Sequence, residues 1–161
     1  MKKKLVIILL ISFFASCEKD DICIDETTPH LIVKFYDKDN PDDAKKVTNL
    51  KVEVENYLDE KIQIDNVSSR DSIILPLNVD LDLTKIYLTK NVTDDNPDGI
   101  EESFILNYSR EDVYVSRSCG YKTIYKSINV SDELTDDWIQ TITIVEENVE
   151  NENQAHLNIF H

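Results

Sequence analysis

Three thiols, three imidazoles and a large excess of carboxylates are the groups in this chain that could do chemistry, and their spacing limits it. Cys119 precedes Gly120, a setting that could carry a nucleophile. A reactive thiol needs electropositive surroundings to lose its proton, and only Arg117 and Lys122 stand near it in the chain. A bonded partner is the stronger expectation for Cys119. His30, His156 and His161 are spaced too widely for a compact metal motif. They could meet only if the first and last strands were neighbours, and edge histidines facing solvent are expected instead. Asp94, Asn96, Asp98 and Gly99 imitate the first half of a calcium loop. Its twelfth position requires a bidentate acid but holds Ile105, and Pro97 interrupts it, so an acidic turn is expected. No Gly-x-Ser-x-Gly elbow is present. Glycoside hydrolysis needs two carboxyl groups at a set separation, and the acids are too numerous for any pair to stand out. Tyr36, Tyr57, Tyr87, Tyr108, Tyr114, Tyr121 and Tyr125 are enough to line a sugar site. Packing at the rim of a sandwich is the expectation for them. No residue is assigned as catalytic or metal-binding, and no cofactor is expected.

The elements that would carry these groups start with a segment outside the fold. Lys2, Lys3 and Lys4 precede an apolar run from Leu5 to Phe14, followed by Ala15, Ser16 and Cys17. A charged start, a short apolar stretch and small residues before a cleavage point form the layout of a secretory signal. The apolar run is too short to span a bilayer, which takes ~20 residues. Cys17 directly after Ala-Ser resembles the acylation site of a bacterial lipoprotein signal, with Phe14 where Leu is usual. Residues 1–16 are therefore expected to be removed, residues 17–29 to form an acylated start and short polar tether, and residues 30–161 to form one domain. Lys19-Asp20-Asp21 looks like the short export signal that sends such lipoproteins to the outer face of the outer membrane.

Charge and glycine content exclude whole classes of function. The net charge is −15, and loss of residues 1–16 removes three lysines and no acid, taking it to −18. So acidic a protein is repelled by nucleic acid and by anionic lipid surfaces, and no nucleic-acid partner is expected. The acids gather in presumed turns such as Asp37 to Asp43 and Asp94 to Asp98, where they solvate loops. Gly99 and Gly120 are the only glycines. Phosphate-cradling and dinucleotide loops need several, which argues against a nucleotide-dependent enzyme.

From His30 onward the pattern is strand after strand. Leu50, Val52 and Val54 alternate with Lys51, Glu53 and Glu55, the period of a strand with one wet face. Leu31 to Tyr36 reads as a more buried strand. Others are expected over 62–65, 72–77, 85–90, 103–108, 113–116, 122–130, 139–146 and 155–160. Asn, Asp and Pro are expected to make the turns, with one helical turn over 131–137 capped by Ser131. This is an all-β pattern, expected to form an antiparallel β-sandwich of immunoglobulin-like architecture. The usual Cys-Trp-Cys core of such domains is missing, because Trp138 follows Cys119 rather than preceding it.

Cys17 and Cys23, then Thr27 to Asp37, Asn40-Pro41, Ser118 to Tyr121 and the closing Ala155 to Phe160 together resemble a family of small Bacteroidetes lipoproteins of unknown function. That resemblance implies an envelope location and lends no catalytic residues. Acylation would remove Cys17 from disulfide chemistry, leaving Cys23 and Cys119 as an even pair in an oxidising compartment. Asp71-Ser72-Ile73 resembles a bacterial O-glycosylation acceptor. The expected function is a lipid-anchored envelope protein in the outer membrane, exposed at the cell surface if the export signal is read. It would bind an envelope protein or glycan, or play a structural part, without catalysis. The alternative is an acid-dependent hydrolase of envelope or extracellular carbohydrate.

Overall fold

The computed structural model describes residues 22–23, 27–65, 67–132, 134–135 and 137–161. The expected signal, Cys17 and Lys19-Asp20-Asp21 lie outside the described residues.

The buried strands follow where apolar residues recur every second position. The strands are β1 (Leu31–Tyr36), β2 (Val47–Glu55), β3 (Lys61–Gln63), β4 (Ser68–Arg70), β5 (Ser72–Leu75) and β6 (Leu83–Lys90). Then come β7 (Ile100–Ser116), β8 (Gly120–Asp132), β9 (Thr141–Ile144) and β10 (Leu157–Phe160). One sheet has the order β5-β1-β10-β9, the other β3-β2-β6-β7-β8 with β4 also pairing β2. The two sheets pack as a β-sandwich. Leu31, Val33, Phe35, Leu157 and Ile159 of the first meet Leu50, Val52, Ile86, Leu88, Phe104 and Leu106 of the second in one buried cluster. Each such side chain contributes roughly 1.5–3 kcal/mol by leaving water.

Pairing is antiparallel throughout except between β1 and β10, which run parallel in the register Val33↔Leu157 to Tyr36↔Phe160. The closing strand slots between β1 and β9, a non-local pairing that no local pattern signals. In β2, Val47 and Leu50 are both buried although three positions apart. Asn49 reconciles them: its φ of 45° and the register shift between Val47 and Leu50 mark a bulge that re-phases the strand.

Asp59 and Asn91 do turn work with positive φ, as Asn49 does in the β2 bulge. Gly99 is needed for space as well, because a Cβ there would stand 2.5 Å from the Lys90 carbonyl oxygen. Ser131 does not cap a helical turn; it lies in β8 opposite Ile105. Pairing to β7 outweighs its local capping preference.

The two expected strands 103–108 and 113–116 are one, the 17-residue β7. Its partner β6 begins at Leu83, opposite Asn107. Beyond that point β7 and β8 run on as a ribbon, from Ser109↔Lys126 to Ser116↔Gly120, which Val149 flanks at Tyr125 before it continues as two strands.

Candidate functional site

The ribbon and the segment leading into β1 are built together. Cys23 and Cys119 stand with Cα atoms 4.9 Å apart and sulfurs at bonding distance, a disulfide-capable pair. Cys119 lies in the turn that closes the ribbon, where its N–H donates to Ser116 Oγ at 3.2 Å. Gly120 supplies a φ of +72° beside the register shift between Tyr114 and Ser116. A second link follows on the same edge, with the Thr123 N–H donating to Thr28 Oγ1 at 3.0 Å. The expected tether is thus docked at Cys23 and Thr28. A cavity of about 310 Å³ remains between segment and ribbon, lined by Thr28, His30, Val115, Tyr121 and Lys122 with the cysteines. Tyr114 and Tyr121 are cross-strand partners with ring centroids 5.4 Å apart and planes at 70°. Both are largely exposed.

Sequence arithmetic therefore found the cysteine pair but not the ribbon. The histidines divide. His156 lies beside Ile32, whose N–H donates to its Nδ1 at 3.0 Å, and His30 is at the same end of the sheet. His161 is at the far end, packed edge-on to Phe35 and Trp138. The parallel register of β1 and β10 keeps the three apart. His156 is buried rather than solvent-facing, contrary to the edge-strand expectation, because it sits just before Leu157 as β10 enters the core. Among the described residues no group of three or more His, Cys, Asp or Glu stands close enough to hold a metal ion. Asn96 folds back on Thr93, its N–H donating to Thr93 Oγ1 at 3.0 Å, so the calcium-loop imitation is a tight turn between β6 and β7.

The carboxylate with the closest imidazole partner is Glu152, whose Oε1 lies 2.6 Å from His30 Nδ1 and accepts from the His30 N–H at 3.0 Å. The His30 side chain first, then its backbone N–H, holds the Glu152 carboxyl below its ordinary range. A general acid for glycoside cleavage needs the opposite shift.

Glu102 is the acid that sequence reading missed. It is buried in β7, where Oε1 accepts from the N–H groups of Asp137 at 2.7 Å and Trp138 at 3.2 Å, and Oε2 from Thr135 at 2.9 Å. A signal was available: Glu102 has the same phase as the inward-facing Phe104, Leu106 and Tyr108. Its role is to hold the loop before β9. Tyr108 and Tyr125 pack edge-to-face at 4.9 Å, with hydroxyls donating to the Asn78 and Leu77 carbonyls. Burial pushes the Tyr125 phenol up to about 12. These two follow the packing expectation, whereas Tyr57, Tyr114 and Tyr121 are exposed. Ser72 is exposed at the start of β5.

Neither the curated proteins nor the solved structures contain a match to this chain. A family profile does match, over residues 49–161. That span runs from inside β2 through the ribbon and β10, and by it the chain belongs to a family of unknown function (DUF6452).

Proposed function

We propose that this is a lipid-anchored protein of the bacterial outer membrane, with a non-catalytic role in binding or structure. The observation that carries the reading is the linkage at the ribbon: Cys23, six residues after Cys17, stands at bonding distance from Cys119. An extended chain spans at most ~3.3–3.6 Å per residue. An acyl group on Cys17 would therefore hold the ribbon turn within roughly 20 Å of the bilayer surface. A long free stalk would let the domain range; this linkage fixes its height, as suits contact with a membrane-bound protein or a glycan layer close by. The resemblance to small Bacteroidetes lipoproteins supports the same location.

Labelling cells with a radioactive fatty acid tests the anchor. The unmodified protein should incorporate label and Cys17→Ser should not. Equal labelling of both overturns the reading. Crosslinking in intact cells, followed by identification of the captured species, then separates a protein partner from a glycan one.

A further inference from the structure

We propose that the Tyr114–Tyr121 pair at the end of the β7–β8 ribbon inserts into the lipid headgroup layer and sets the domain's orientation on the membrane. The inference rests on the lipid anchor at Cys17 and adds a second, non-covalent contact to it. Three observations carry it. The first is reach: the segment from Cys17 ends at the ribbon turn through Cys23 and Cys119, so this turn is the part of the fold drawn nearest the bilayer. The second is the chemistry of the pair. Tyr114 is 58% and Tyr121 70% exposed, yet the rings pack on each other at 5.4 Å and cover little of the core. Tyrosine, with an apolar ring and a polar hydroxyl, is enriched where one end of a side chain is in lipid and the other in water. The third is charge. Residues 113–131 contain no Asp or Glu, while Arg117, Lys122 and Lys126 lie among them. No other stretch of the chain is free of acid for so long. Contact through the end of the ribbon, from Val113 to Lys122, brings no carboxylate of its own against the lipid phosphates; Glu111 and Asp112 lie one step further back, opposite Ile124 and Thr123.

Tyr57 provides the control. It is also 70% exposed, but it sits on the β2–β3 turn at the opposite edge of the same sheet. Full-length acylated protein carrying Tyr121→Trp, Tyr114→Trp or Tyr57→Trp is reconstituted into phosphatidylethanolamine–phosphatidylglycerol vesicles, with or without lipids brominated near the headgroup end of the acyl chains. Native Trp138 is buried and supplies a constant background. Flotation with the vesicles reports the anchor separately. The added indole should be quenched by bromolipid and shifted to the blue in Tyr121→Trp and Tyr114→Trp, and unquenched in Tyr57→Trp. Protein that floats with Tyr121→Trp and Tyr114→Trp unquenched overturns the docking and leaves the anchor intact. Equal quenching of Tyr57→Trp also overturns it. Protein that fails to float removes both readings.

Discussion

Glu102 shows how a charged residue can be fully buried and still be structural. Its two oxygens satisfy three N–H groups of a loop that has no strand partner of its own there. Removing the acceptor leaves those donors stranded, and hydrogen bonds to charged groups contribute about 1.5–3 kcal/mol each. Glu102→Ala should cost about 3 kcal/mol, seen as a melting temperature lower by roughly 6–12 °C. Glu102→Gln keeps one oxygen acceptor and should lose clearly less; equal losses would mean the bonds matter little. The buried imidazoles make a separate statement about pH. Burial pushes His156 and His161 below the ordinary imidazole range. The Asn151 backbone, then Glu146 and Glu152, pull His156 the other way; at His161 the Lys45 backbone, then Asp37, oppose the burial, while the Lys45 and Lys90 charges add to the lowering. The fold thus favours neutral rings, and the unfolded chain takes up protons first, near pH ~6.5. Their contribution is complete above that pH and falls as pH drops through the window down to the folded values. Thermal unfolding followed from about pH 8 to about pH 5 should show a loss of stability starting near 6.5. His156→Asn keeps an acceptor near the Nδ1 position and should flatten the fall.

The β7–β8 ribbon is the element on which the proposed membrane contact rests, and it is also where sequence reading was weakest. Alternation is legible only where a strand has one dry face, as in β1, β2 and β6. Past Tyr108 the strand has left β6, and Ser109-Arg110-Glu111-Asp112 are all exposed and carry no apolar phase. One long strand therefore read as two short ones. β4, Ser68–Arg70, was invisible for the same reason, while the sandwich itself was legible in the buried strands. The cysteine pair was legible because its logic is arithmetic rather than periodic. Its sequence separation is 96, for which the chain-entropy account gives about 4.7 kcal/mol and measured bridges typically about 2–4. Cys23→Ser and Cys119→Ser should lower the melting temperature by similar amounts, and the double variant little more than either. Additive losses, or two free thiols in the unfolded, unreduced protein, would show that the bridge is not formed.

At the scale of the whole molecule, the ribbon and the direction of β1 define two poles, and the proposed anchor would belong to the ribbon pole. The family match starts at residue 49, yet β1 lies between β5 and β10 with Leu31, Val33 and Phe35 fully buried, so the folding unit includes it. β1 runs from Leu31, next to His30 at the ribbon cavity, to Tyr36, and delivers the chain to the loop 37–46 at the opposite pole. Residues 38–44 of that loop are exposed and rich in acid, so on an anchored molecule they face away from the lipid. If Lys19-Asp20-Asp21 is read as an export signal, that pole points into the medium. A broad-specificity protease added to intact cells should then cut within 38–44, and replacing Lys19, Asp20 and Asp21 together with Ala should protect the loop. Fatty-acid labelling at Cys17 should be the same for both proteins, which separates a failure of export from a failure of anchoring. Protection of the unmodified protein in intact cells, with cleavage only after the outer membrane is opened, would place the acidic pole in the periplasm instead.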